Sequence, residues 1–227
     1  MKVALCLQHV VFEGPGVFRR ALEIRGYAVR NVVVPAEGLP ADPGDFLLIM
    51  GGPMSVNDRD PWIEAELQFV KMALARDIPV LGICFGAQLL AKASGGSVAR
   101  GPKFEIGMGP VSLTDKGKID PILCAMPQDF LVFQWHGEGI TLPPGSTHLM
   151  TSAHFPVQAF RMTDRTYGLL FHLELEEAGI EALCRECPQD VQRGGITPAS
   201  IQARSRPHLP MLHQLAARFM EHLVRIG

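Results

Sequence analysis

The sequence predicts an α/β chain: a three-layer arrangement with a mostly parallel central sheet, flanked by helices and extended by antiparallel strands. Three observations carry that expectation. Through the first hundred residues, short apolar runs alternate with helix-like stretches, the pattern of strands buried on both faces and joined by crossover helices. After residue 97 the rhythm changes to shorter strand-like runs separated by turn residues, which suits antiparallel pairing. Of the 227 residues, 47% are hydrophobic, enough for one large domain with a substantial core. Residues 1–227 are therefore read as a single domain.

The elements follow in order. Residues 2–8 read as a buried first strand, Glu13 to Gly16 as a loop, and residues 17–25 as a helix stopped by Gly26. A second strand over residues 28–34 ends at Pro35, and residues 46–50 form an apolar third strand that opens into Gly51-Gly52-Pro53. Asp60 suits a helix N-cap with Pro61 in the first turn, and Trp62, Leu67, Val70 and Leu74 recur at helical spacing up to Arg76. A fourth strand runs into Cys84, and the helix after it ends at Gly95-Gly96. Further strands are expected over residues 106–113, 130–135, 148–152, 157–161 and 167–171, the last two joined as a hairpin through Asp164. Residues 174–186 and 209–226 read as helices, the last with an apolar stripe of Leu212, Leu215, Phe219, Leu223 and Ile226. Arg193-Gly194-Gly195 and residues 204–210 read as loop.

Composition narrows the function. A net charge of −2 with no basic run gives no support to a nucleic-acid or membrane-surface partner, so a small-molecule substrate is expected. The apolar N-terminus is broken by Gln8 and His9 and reads as a strand, and no stretch approaches the length of a membrane span. Five cysteines without dense spacing point to a reducing, cytoplasmic compartment. Ser94-Gly95-Gly96-Ser97 follows a helix rather than opening one, and a helix C-terminus repels phosphate. No cofactor is expected.

The chemistry centres on Gly82-Ile83-Cys84-Phe85-Gly86. A nucleophile at the tip of a sharp strand-to-helix turn sits in strained backbone, so its neighbours two residues away must be small. Amides at the start of the following helix favour an anion, which suits a thiolate. A base and an orienting group are available in two pairs, His136-Gly137-Glu138 and His172-Leu173-Glu174. Residues two apart on a strand share a face, so either carboxylate could orient its imidazole. His172 follows the apolar run 168–171 that would deliver it to the sheet edge, whereas His136 has Gly137 and Gly139 just after it and reads as loop. We assign catalysis to the second pair and a wall of the substrate pocket to the first. Cys84, His136 and His172 are of zinc-ligand type, but no close-spaced ligand pair supports a metal site. Cys184-Arg185-Glu186-Cys187 is a lone C-x-x-C, and the other histidines, His9 among them, show no partner pattern and read as surface or packed side chains.

Taken together, Gly51-Gly52-Pro53-Met54-Ser55-Val56, the Cys84 motif through Gln88, Gln134-Trp135-His136-Gly137-Glu138, residues 157–161 and residues 168–174 resemble the class I glutamine amidotransferase domain, in particular stand-alone members similar to the amidotransferase half of GMP synthase. The resemblance covers most of residues 45–175 and implies a flavodoxin-like fold. It implies a Cys-His-Glu triad of Cys84, His172 and Glu174, an oxyanion hole from the amides of Gly52 and Phe85, and substrate binding by Gln88 and by Trp135, His136, Gly137 and Glu138. It further implies release of glutamate and ammonia from glutamine through a glutamyl thioester, the chain then being a glutaminase subunit that feeds ammonia to a separate synthetase subunit. A free-standing γ-glutamyl peptide hydrolase and a non-catalytic binding protein of the same fold are the alternatives. The family commonly carries Gln-Phe-His-Pro-Glu at the last motif, where this chain has Leu170 and Leu173 in place of the Gln and the Pro.

Overall fold

The computed structural model describes residues 2–226; Met1 and Gly227, and the side chain of Ile226 at the end of the expected apolar stripe, lie outside the described residues. The first half alternates as expected: β1 (Lys2–Gln8), α1 (Val17–Ile24), β2 (Tyr27–Val33), a one-turn α2 (Val34–Glu37), β3 (Phe46–Ile49), α3 (Pro61–Ala75), β4 (Val80–Ile83) and α4 (Phe85–Ala93). The second half contains β5 (Ser97–Leu113), a one-turn α5 (Asp115–Lys118), β6 (Asp129–Thr141), β7 (Thr147–Thr151), β8 (Ala159–Thr163) and β9 (Thr166–Leu169). Four helices close the chain: α6 (Glu177–Glu186), α7 (Pro188–Arg193), α8 (Pro198–Ser205) and α9 (Leu209–Ile226).

The strands form one sheet in the order β2-β1-β3-β4-β9-β8-β7-β5-β6. From β2 to β9 all pairs are parallel, and from β9 to β6 all are antiparallel. Alternation along the parallel strands sends side chains to two cores. Ala4, Cys6, Phe46, Leu48 and Leu81 pack with α1, α6, α8 and α9 on one face. Leu5, Leu7, Leu47, Ile49 and Val80 pack under α3 and α4 on the other. Parallel strands sharing both faces with helices in this way explain the continuous apolar runs. Because β1, β3, β4 and β9 run the same way, their carboxyl ends open along one edge, where ligands bind in such sheets.

Three expectations need correction. His136-Gly137-Glu138, read as loop, lies within β6 and pairs with β5, His136 opposite Glu105 and Glu138 opposite Arg100. The flanking glycines mark close ring packing: a Cβ at Gly137 would lie 2.6 Å from the Phe104 ring, and one at Gly139 2.9 Å from Phe155. Residues 204–210, also read as loop, are helical. Thr197 caps α8 by accepting from the Ser200 amide at 3.2 Å, Pro198 occupies the first turn, and Ile201 and Ser205 are buried. A 3₁₀ turn, Arg206–His208, then leads into α9. Finally, the helix expected from residue 174 begins only at Glu177, which leaves His172 and Glu174 on the irregular segment after β9.

Candidate active site

Cys84 sits between β4 and α4 with φ 50° and ψ −107°, a left-handed conformation costly for a side chain other than glycine. The surrounding backbone over-determines it. A Cβ at Gly86 would overlap the Ile49 carbonyl, and one at Gly82 would collide with the Gly86 carbonyl. The turn is therefore packed against β3, and the G-x-C-x-G spacing has the steric cause expected of it. Cys84 N donates to Leu169 O at 2.8 Å, and Gln88 N donates to Cys84 O at 3.0 Å as α4 begins. Phe85 is the first residue of α4, so its amide is among those without an intrahelical acceptor.

His172 reaches the thiol from the neighbouring segment. Its backbone exchanges hydrogen bonds with Phe133 of β6, His172 N donating at 2.8 Å and His172 O accepting at 3.4 Å. Nδ1 lies 2.6 Å from Glu174 Oε1, and both side chains are buried. Burial works against the imidazolium, but the Glu174 carboxylate and hydrogen bonding to Cys84 outweigh it and hold the His172 pKa well above the ordinary histidine value. The second Glu174 oxygen accepts from Leu173 N at 3.1 Å. A proline at this position has no such donor, so the Leu173 departure adds a hydrogen bond to the orienting carboxylate. Leu170 is buried in the core under α3 and α4.

A cavity of about 490 Å³ opens beside Cys84, within the range of small-molecule sites. Its walls include Gly52, Gln88, Trp135, His136, Gly137 and Glu138, so the structure gathers all the expected substrate-binding residues around the thiol. Cys84 Sγ lies 3.5 Å from Trp135 O. Gln88 Nε2 donates to Glu138 O at 3.4 Å, and the Glu138 carboxylate accepts from Ser55 Oγ at 2.9 Å, tying the loop after β3 to β6.

The chain of side-chain amides behind His136 sets its tautomer. Gln158 Nε2 donates to the Glu105 carboxylate at 3.2 Å, Gln134 Nε2 donates to Gln158 Oε1 at 3.2 Å, and Gln134 Oε1 then faces His136 Nε2 at 2.9 Å. Nε2 thus carries the proton and Nδ1 a lone pair. That Nδ1 is buried without a partner among the described residues. Burial, and next the charge on His172, push the His136 pKa down to about 3 against a pull from the Glu138 backbone, so the ring is neutral.

Several site residues gave no signal in the sequence. Glu13 is buried where a Cβ on Gly51 would overlap its carboxylate and approach His172 Cε1. Burial, partly offset by the charge on His172, pushes its pKa up to about 7. Asp190 accepts from Trp135 Nε1 at 3.2 Å, and Arg100, Lys103, Asp190 and Arg193 complete the cavity wall. His9, read as surface or packed, is fully buried against Glu66 and Gly51. These groups come from distant stretches with no shared spacing, so only the folded chain brings them together.

A three-layer α/β fold with this cysteine turn defines a class of protein that comparison also reaches. The family model described as glutamine amidotransferase class-I matches residues 17–180, and the chain belongs to that family. The glutamine amidotransferase-like protein YfeJ of Salmonella typhimurium is 31% identical over 191 residues, covering 81% of this chain and 80% of that protein. The GMP synthase of Aeropyrum pernix is 34% identical over 174 residues, 73% of this chain but only 32% of that protein. Among solved structures, a glutamine amidotransferase from Thermotoga maritima superposes with a TM-score of 0.88 at 27% identity, covering 98% of both chains. One from Methylobacillus flagellatus gives 0.88 at 27% identity, covering 99% of this chain and 95% of that one.

Proposed function

We propose that the protein hydrolyses the side-chain amide of glutamine, with Cys84 as nucleophile, His172 as acid and base, and Glu174 as the group that orients and charges the imidazole. The observation that carries this reading is the buried Cys84, His172 and Glu174 cluster, with Nδ1 to carboxylate at 2.6 Å and the other ring nitrogen left for the thiol. The Cys84 thiolate attacks the amide carbon, a C–S bond forms, and the carbonyl electrons move to oxygen, where the amides of Gly52 and Phe85 hold them. His172 gives its proton to the amide nitrogen, the C–N bond breaks and ammonia leaves. Water then yields a proton to His172 as its oxygen attacks the thioester; the C–S bond breaks and glutamate is released, restoring thiolate and imidazolium. Gln88 and the 135–138 segment hold the amino-acid end.

The test is glutamate release from glutamine by the purified protein, alone and with lysate supplying a synthetase partner that would consume the ammonia. Cys84→Ala should abolish turnover. Absence of release in every condition contradicts the reading. A second reading, hydrolysis of γ-glutamyl peptides by the same triad, is favoured by the size of the cavity and by the cations Arg100, Lys103 and Arg193 in its wall. Partner-independent cleavage of γ-glutamyl peptides, faster than of glutamine, would select it. Like the assignment of residues 1–227 to one domain and of the protein to the cytoplasm, the partner is part of this proposal. For the membrane, no helix of the described residues is long and apolar enough to cross it.

A further inference from the structure

We propose that His9, braced by Glu66, is a positioning residue that aims the Gly52 amide at the oxyanion. The inference rests on the reading above, in which Gly52 N–H is one of the two oxyanion donors. It begins with the sheet. β1 and β3 are parallel neighbours with Leu7 opposite Ile49, so the residues just beyond their carboxyl ends, His9 and Gly51, come side by side. His9 Nδ1 lies 2.9 Å from Gly51 O, and Nε2 lies 3.1 Å and 3.2 Å from the two carboxylate oxygens of Glu66 on α3. Both side chains are wholly buried, and the ring is packed between Trp62 and Phe85 at centroid distances of 5.6 Å and 4.4 Å.

These contacts leave one arrangement of the protons at Nδ1. A carbonyl oxygen only accepts, so Nδ1 must carry a hydrogen. Nε2 faces the Glu66 carboxylate, so both ring nitrogens are engaged and the ring is kept from turning. Glu66 therefore holds the ring in the orientation that keeps Nδ1–H on Gly51 O, as a second partner does for a histidine with a fixed task.

The consequence passes through one rigid unit. Gly51 C=O and Gly52 N–H belong to the same planar trans peptide and point in opposite directions. Two consecutive glycines would otherwise let that peptide rotate freely. Anchoring the oxygen on His9 turns the N–H to the opposite side, and Gly52 shares the cavity wall with Cys84. Gly52 also has no room for a side chain, since a Cβ would lie 2.9 Å from His9 Cβ, so the histidine fixes the loop by contact as well as by hydrogen bond.

The test compares wild type, His9→Phe and His9→Asn for glutamine hydrolysis and for alkylation of Cys84 by iodoacetamide, a displacement that forms no oxyanion. His9→Phe keeps a ring but has no donor, whereas Asn places an amide N–H near the position of Nδ1. The expected result for His9→Phe is a fall in kcat of roughly 10- to 100-fold with KM changed by no more than about threefold, because a donor acting in the transition state is loosened. His9→Asn should recover most of the loss, and the alkylation rate should be the same in all three. Should His9→Phe fail to fold, His9→Leu, which is smaller and equally without a donor, is measured in its place with the same expectation. Hydrolysis at the wild-type rate in His9→Phe, an equal loss in His9→Asn, or alkylation slowed in parallel would each overturn the clamp while leaving the triad intact. A wild-type protein that cleaves neither glutamine nor a γ-glutamyl peptide would instead overturn the reading of the site, and the clamp with it.

Discussion

At the scale of single residues, the site is a balance of buried charges. His172 gains its proton from the company of Glu174 and Cys84, and Glu174→Gln replaces the anion with a neutral amide. The expected outcome is a fall in kcat of about 10²-fold or more, read as glutamate release with the far-UV spectrum unchanged. Glu13 acts in the other direction. Its carboxyl titrates at about 7 in the folded protein against an ordinary 4.5, so the unfolded chain releases this proton first. Stability is lost as pH rises from about 4.5 to about 7 and the loss stays complete above that. Glu13→Gln should therefore raise Tm relative to wild type at pH 8, on the order of 5 °C, and leave it unchanged at pH 4; equal effects at both would contradict the assignment. Cys84, His172 and Glu174 were legible in the sequence as a candidate cluster because a cysteine between two glycines and a histidine two residues from a carboxylate are local patterns. Glu13, His9 and Glu66 were not, since their partners lie on other strands and helices and nothing in a local window sets a buried carboxylate apart from a solvated one.

At the scale of elements, the turn between β4 and α4 depends on how closely it approaches β3. Gly86→Ala would drive a methyl group into the Ile49 carbonyl, and neither backbone segment can yield without moving the sheet. We expect a loss of about 2–4 kcal/mol, measured as a shift in the urea midpoint at unchanged slope. The elements of the first half lie within a residue or two of the positions expected, because two-faced strands and amphipathic helices write their period into the sequence. The second half was less legible for a physical reason. Glycines that usually break strands sit inside β6 to admit the rings of Phe104 and Phe155, and α8 carries so little apolar periodicity that its Thr197 cap and Pro198 were the only marks of it.

At the scale of the whole molecule, the parallel half of the sheet brings the ends of β1, β3, β4 and β9 to one edge, and the antiparallel half contributes β6 as a wall of the cavity beside Cys84. This arrangement explains why motifs scattered from Gly52 to Glu174 converge. It also ties acid stability to the site. His136 is held neutral, titrating at about 3 when folded against 6.5 ordinarily, so the unfolded state takes up a proton first as pH falls. Stability should decline between about pH 6.5 and pH 3 on this account, and His136→Asn should flatten that part of the Tm profile. A profile unchanged by the substitution would place the neutral ring elsewhere.

The central claim is that Cys84, among five cysteines, is the nucleophile for a γ-glutamyl group. It is tested most directly by treating the intact protein with a chloroketone analogue of glutamine and locating the adduct by peptide mass spectrometry. One adduct per chain on Cys84, blocked by excess glutamine and missing in Cys84→Ala, is the expected result. An unmodified Cys84, or an adduct at another cysteine at the same rate, would contradict it.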